Sequence, residues 1–296
     1  MAKTYCGFIA LIGRPNVGKS TLLNALIGEK ISITSRKPQT TRHKILGIRT
    51  EEPYQAIFVD TPGLHEKTKT CLNKYMNRAA SSTLNDVDAI FFIIEAHRWK
   101  EEDENVLKKL KNITLPIFLI INKCDRINEK NALNPLIEKI SAELHLHDIF
   151  TISAKNRIGL TPLIEKVHSL LPSNPFFFPK ENVTDRNLIF FSAELIREKL
   201  IRNLGEELPY SITVEIEKFT EDDNLIRING LIWVEKENHK QIVIGKNGFV
   251  LKKIGQATRI ELERKLGKKV YLELWVKVKA SWSNNESMIK SLGYEI

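Results

Sequence analysis

The stretch GRPNVGKS, Gly13 to Ser20, constrains the fold of this chain more than any other. It follows the apolar run YCGFIALI and leads into KSTLLNALIG, so a glycine-bearing turn joins a strand to a helix. The spacing GxxxxGK[ST] in that setting predicts backbone N–H groups curled around a phosphate at a helix N-terminus. Lys19 would neutralise the β- and γ-phosphates, and Ser20 would ligate Mg²⁺. Gly13, Arg14, Pro15, Asn16, Val17, Gly18 and Thr21 are the remaining expected contacts of this loop.

The segments downstream agree with the sheet such a loop requires. Short apolar runs alternate with amphipathic stretches to about residue 171, which predicts a doubly wound, mostly parallel α/β sheet. Strands are expected at YCGFIALI, HKILGIRT, YQAIFVD, DAIFFIIEA, PIFLIIN and DIFTIS. Only EEP separates the second from the third, so that pair should form an antiparallel hairpin at one edge. Residues 171–185, LPSNPFFFPKENVTD, carry three prolines and read as a linker, while the triple Phe predicts packing on a domain surface.

Beyond the linker the elements run α-β-β-α-α-β: NLIFFSAELIREKLIRNL, YSITVEIEKF, LIRINGLIWVE, HKQIVI, a helix from Phe249 to about Lys265, and KKVYLELWVKVKA. The expected division is a first domain over 1–172, a linker over 173–186, and a smaller α+β domain with a C-terminal tail over 187–296.

Two motifs in the first domain identify the nucleotide. DTPG, Asp60 to Gly63, ends the third strand, where Asp60 can hold Mg²⁺ through water and the Gly63 N–H can sense the γ-phosphate; Thr61 and Pro62 lie between them. NKCD, Asn122, Lys123, Cys124 and Asp125, ends the fifth. Asp125 can accept from both the ring N–H and the exocyclic amine of guanine, and a site built on such bonds rejects adenine by ~10⁴ or more. Ser153 and Ala154, after the sixth strand, would bring a loop under the base oxygen.

These residues resemble the translation-factor-like branch of the GTPase superfamily. The resemblance places a nucleotide-sensing segment at SITSRKPQTTRHKILGI, with Thr41 the candidate hydroxyl for Mg²⁺ and Thr40 its neighbouring alternative. After DTPG, where many small GTPases carry a water-orienting Gln, this chain has Leu64, which implies slow intrinsic hydrolysis. Asn16 occupies the position where some relatives hold a monovalent cation such as K⁺, or it simply fills the turn.

A second glycine turn, Gly245-Lys246-Asn247-Gly248, is too short for another phosphate loop and lacks Lys-Ser/Thr entering a helix. Between two helices beside a sheet, GxxG is the clamp of a KH domain, which holds about four backbone nucleotides of a single strand. Lys246, Lys252 and Lys253 would meet phosphates, and Ile244, Leu251 and Ile254 would floor the groove. The formal net charge is +9, and residues 236–279 alone hold 12 basic and 4 acidic residues, a local +8. That excess surrounds the turn and favours an anionic partner.

Cys6, Cys71 and Cys124 are few and lack CxxC spacing, which argues against a disulfide framework or zinc and fits a reducing compartment. No apolar run approaches the ~18–20 residues of a membrane span, so any membrane contact should be peripheral.

GRPNVGKSTLLN, QTTRH, DTPGL, ELPYSITVEIE, VIGKNG and LELWVKVKASW together resemble the Era family of bacterial ribosome-assembly GTPases over nearly the whole chain. The resemblance implies a P-loop GTPase domain followed by a type II KH domain, with GTP, GDP and Mg²⁺ as ligands. It further implies binding to the 3′ end of 16S ribosomal RNA and to the small (30S) subunit. A monomer in the cytoplasm, with some peripheral association at the inner membrane face, completes the expectation. Two other readings stay open: an RNA-binding assembly chaperone in which GTP turnover is incidental, and a GTPase whose C-terminal domain binds protein.

Overall fold

The computed structural model describes residues 3–63, 70–83, 86–127, 133–205 and 208–294. They divide into two compact units, one within 1–32, 41–67 and 76–185, the other within 33–40, 68–75 and 186–296. The division follows packing, so a single cut along the chain does not express it.

The first unit is built on β1 (Tyr5–Ile12), β2 (Ile45–Glu51), β3 (Tyr54–Asp60), β4 (Ala89–Glu95), β5 (Ile117–Asn122) and β6 (Asp148–Thr151). Their spatial order is β2-β3-β1-β4-β5-β6, with β2 antiparallel to β3 at one edge and every other pairing parallel. β4 and β5 are buried throughout, as strands covered on both faces must be. Five parallel strands send their C-terminal ends to one rim, where ligands of open α/β sheets bind. The helices α1 (Lys19–Ile27), α2 (Cys71–Ser82, of which 76–82 count with this unit), α3 (Glu101–Leu110) and α4 (Asn134–Glu143) lie between them in the chain, and α5 (Leu160–Leu170) follows β6. The first turn of α3 is wholly acidic, Glu101 to Glu104, and its last turn carries Lys108 and Lys109, which suits the helix dipole.

The triple Phe packs on this unit. Phe176 and Phe178 lie against Cys6, Ile48 and Ile57, and the Phe177 ring is 5.5 Å from Phe8. Gln55 fastens the segment: its Oε1 accepts from the N–H of Phe177 (3.0 Å) and Phe178 (3.1 Å), and its Nε2 donates to the Phe178 carbonyl (2.9 Å).

The second unit runs α6 (Leu188–Asn203), β7 (Ile212–Glu221), β8 (Leu225–Val234), α7 (Glu237–Ile244), α8 (Phe249–Leu266), β9 (Lys269–Val278) and α9 (Glu286–Ser291). β8 lies between β7, antiparallel to it, and β9, parallel to it. Ile196, Leu200, Ile232, Val243, Ile254 and Val276 form its core. Trp275 stands on the sheet surface, and Trp282 is buried with its indole N–H on the Ser211 carbonyl (2.9 Å).

Helix α6 departs from a simple amphipathic pattern, because Glu194, Arg197, Glu198 and Lys199 are buried as well. Within this unit the segment 33–40 covers that charged face. Arg197 pairs with Glu194 and donates to the Thr40 carbonyl; Glu198 accepts from the Thr34 N–H (3.0 Å), and Arg202 donates to the Thr34 carbonyl (2.8 Å). Periodicity in α6 alone cannot show this, since the covering segment lies more than 150 residues away.

Candidate functional site

The loops at the sheet rim converge on one place. Gly13 and Gly18 bound the first loop, and Gly18 has φ +107, with any Cβ there only 2.3 Å from Asn122 Nδ2. Only glycine satisfies both conditions. Asn122, 2% exposed at the end of β5, joins three loops: Nδ2 donates to the Val17 carbonyl (2.9 Å), and Oδ1 accepts from the N–H of Lys123 (2.8 Å) and Ala154 (3.0 Å). Asp125 is exposed, and its carboxylate accepts from the Ser153 hydroxyl, which holds its pKa below the ordinary value. It is therefore an ionised acceptor at neutral pH, as a guanine-reading group must be.

At the phosphate end, Lys19 Nζ donates to the carbonyls of Gly13 (2.9 Å) and Arg14 (3.0 Å). Burial pushes its pKa down to about 8, against the pull of Asp60. Thr61 Oγ1 donates to the Leu11 carbonyl (3.1 Å), and Gly63 abuts Pro15 so closely that a Cβ would come within 2.9 Å of it. Thr21 is half-buried in the first turn of α1. Leu64 lies outside the described residues.

Ser20, Thr41 and Asp60 come together. Ser20 Oγ lies 2.8 Å from Thr41 Oγ1 and donates to Asp60 Oδ2 (2.6 Å), which also accepts from Ser32 Oγ (3.1 Å). Asp60 is fully buried, burial raises its pKa, and its Oδ1 has no hydrogen-bond partner among the described residues. An orphaned carboxylate oxygen beside two hydroxyls is an all-oxygen donor set that fits Mg²⁺. Thr40 points elsewhere, its hydroxyl engaged by Ser35 (2.6 Å) and the Lys37 carbonyl (2.7 Å).

Two acids that the motif spacing does not reveal organise the cations of these loops. Arg14 donates to Glu95 (2.8 Å) and Asp103 (2.8 Å), and Lys123 Nζ contacts Glu95 and the Asn16 carbonyl (2.8 Å). Burial pushes the Glu95 carboxyl up, but Lys123 and Arg14 outweigh it and leave its pKa lowered. The only sequence trace of this is the acid ending the apolar run AIFFIIE.

In the second unit α7 ends at Ile244, capped by Gly245, and α8 starts at Phe249, with Lys246 and Asn247 exposed between them. Gly245 has φ +72 and a Cβ there would lie 2.5 Å from Val250; Gly248 has φ +75 with open space around it. Lys252 and Lys253 are exposed on α8, and Ile244 and Leu251 are partly buried beside the core. Ile254 is a correction: at 0% exposure it belongs to the core and cannot floor a groove, because it falls on the inward face of α8. Phe249, 70% exposed immediately after the turn, is the apolar group the loop presents instead.

Comparison with known proteins agrees with both units. Residues 8–123 match a family model described as 50S ribosome-binding GTPase, and residues 207–283 match that of the KH domain. The chain is 53% identical over 295 residues to GTPase Era of Coxiella burnetii, covering all of both proteins. It is 51% identical over 293 residues to GTPase Era of Yersinia pestis, covering 99% of this chain and 97% of that one. A crystal structure of an Aquifex aeolicus Era variant bound to GDP·AlF4⁻ superposes with TM-score 0.93 at 39% identity, covering 99% and 100%. Another, of Era with MgGDPNP and nucleotides 1506–1542 of 16S ribosomal RNA, gives 0.94 at 40%, with the same coverage.

Proposed function

The chain belongs to the Era family of GTPases, and on that footing we propose how its parts divide the work. It is a GTPase, converting GTP and water to GDP and phosphate, and a switch protein of ribosomal RNA. In our reading residues 1–172 carry nucleotide, 173–186 link, and 187–296 bind the 3′ end of 16S ribosomal RNA during assembly of the small subunit. The observation that carries it is Asn122, which ties the phosphate loop, the guanine-reading loop and the Ser153-Ala154 loop into one site.

Lys19 and the loop N–H groups would hold the phosphates; Ser20, Thr41 and Asp60 would hold Mg²⁺, which when bound would neutralise charge on the β- and γ-phosphates as the phosphoryl group passes to water. The Gly63 N–H reports the γ-phosphate. Asp125 reads guanine, and Ser153 keeps its carboxylate oriented. Around Gly245 to Gly248 the absence of Cβ atoms lets a sugar-phosphate backbone approach, with Lys246, Lys252 and Lys253 as counter-charges. On the family resemblance we extend the reading to K⁺ beside Asn16, a cytoplasmic monomer, and peripheral contact with the inner membrane face.

The test is single-turnover GTP hydrolysis with and without the 16S 3′ fragment or 30S subunits, alongside RNA affinity in the GTP- and GDP-bound states. The switch reading expects affinities that differ between states and a loss of RNA binding in Gly248→Asp, where a carboxylate would face phosphate. Equal affinities and an unmoved rate would leave an RNA chaperone with incidental turnover. RNA binding untouched by Gly248→Asp would remove the KH assignment.

A further inference from the structure

The strand order places β4 directly between β1, which leads into the phosphate loop, and β5, which leads into NKCD. Its last residue, Glu95, pairs in register with Asn122 and stands between the two loops. One carboxylate reaches both: Oε2 accepts from Arg14 (2.8 Å), and Oε1 contacts Lys123 Nζ. Asp103, in the first turn of α3, takes the other side of Arg14 through Oδ2 (2.8 Å) and is itself fixed by the Lys100 N–H (3.0 Å). Arg14, Glu95 and Asp103 are all buried.

Lys123 has φ +65, a left-handed conformation that a long side chain adopts only when its surroundings impose it, and Asn16 has φ +66, which asparagine tolerates. Lys123 Nζ bonds both Glu95 and the Asn16 carbonyl, so the brace joins the strained residue of one loop to a left-handed turn of the other. Asp125 follows Lys123 by two positions in the same loop.

We propose that Glu95 and Asp103 are positioning residues that lock the phosphate loop to the guanine-reading loop through Arg14 and Lys123, and thereby set guanine affinity and selectivity. This rests on the nucleotide reading above. Neither acid touches the nucleotide; each acts through a cation of a loop that does. A buried ion network can also serve stability alone. Selectivity separates the two roles, because a brace that aims Asp125 governs the bond to the exocyclic amine, whereas general loosening weakens every nucleotide equally.

The experiment uses the full chain with GDP and with inosine diphosphate, which lacks that amine. Dissociation constants and GDP release rates are measured for Glu95→Gln, Asp103→Asn and Glu95→Asp, with thermal unfolding of each. Glu95→Asp keeps the charge and is the variant most certain to fold, but its shorter arm cannot span Arg14 and Lys123 together. The expected result for all three is GDP release faster by about tenfold to a hundredfold, the range for losing one charge-assisted bond. The preference for GDP over inosine diphosphate should fall with it in both Glu95 variants. Unchanged release would overturn the proposal, and so would an equal loss for both nucleotides in the Glu95 variants. Failure of the unaltered protein to prefer GDP over ADP would instead overturn the nucleotide reading itself.

Discussion

Replacing Asn122 by Ala tests whether one side chain holds three loops together. The change removes the donor to the Val17 carbonyl (2.9 Å) and the acceptor for the N–H groups of Lys123 (2.8 Å) and Ala154 (3.0 Å). The bonds to Val17 and Ala154 are fully buried, while that to Lys123 is partly open to water. A buried polar group left unpaired costs about 1–3 kcal/mol, so the two buried partners set about 2–6 kcal/mol if nothing relaxes. Loops at a rim can shift and admit water, which brings the figure to about 3 kcal/mol. Binding nucleotide forces the loops back into register, so most of that cost appears in affinity, as a roughly hundredfold rise in the GDP dissociation constant. Competition against a fluorescent guanine nucleotide reads the constant directly, and urea unfolding of the nucleotide-free protein should show a smaller loss. A GDP affinity within threefold of the unaltered protein would refute the reasoning, because Val17, Lys123 and Ala154 would then not need Asn122 to stay in place.

Three other perturbations follow from buried polar groups. Gln55→Leu leaves the N–H groups of Phe177 and Phe178 and the Phe178 carbonyl without partners; a loss of about 2–4 kcal/mol, or protease cleavage within 173–185 before global unfolding, is expected. Arg197→Ala deletes the bonds to the buried Glu194 carboxylate and to the Thr40 carbonyl, and about 3–5 kcal/mol should be lost in urea unfolding, with Glu194→Leu/Arg197→Met recovering part of it. His168 stacks on Tyr54 with ring centroids 4.5 Å apart, and burial lowers its pKa from the ordinary 6.5. The unfolded chain then binds the proton more readily, so stability falls as pH drops below about 6.5, and the loss is complete once pH is under the folded-state value. His168→Phe keeps the stack and should flatten that limb of the stability profile.

What the sequence by itself determined is what short-range pattern can carry. Apolar runs of strand length, the EEP spacer, the glycine loop and the DTPG and NKCD motifs were enough for the sheet class, the antiparallel edge and the nucleotide, because backbone conformation and base chemistry are local requirements. The α-β-β-α-α-β order and the basic stretch around Gly245 to Gly248 likewise identified a KH arrangement. Ile254 shows the limit: its residue type suited a groove, but its helical phase put it in the core.

Only the tertiary structure decided which distant side chains meet. Glu95 becomes a bridge because β4 lies between β1 and β5, an order that chain sequence does not state. Ser32 joins Ser20 at Asp60, and Thr41 rather than Thr40 faces Ser20, because the chain turns within 33–40 before it reaches the sheet. The charges of α6 are buried because that same segment covers them. Charged groups can be buried only when partners arrive with them; Glu194 and Arg197 supply each other within one helix turn, but the backbone groups of Thr34 and Thr40 that complete the set come from a part of the chain that no local window contains.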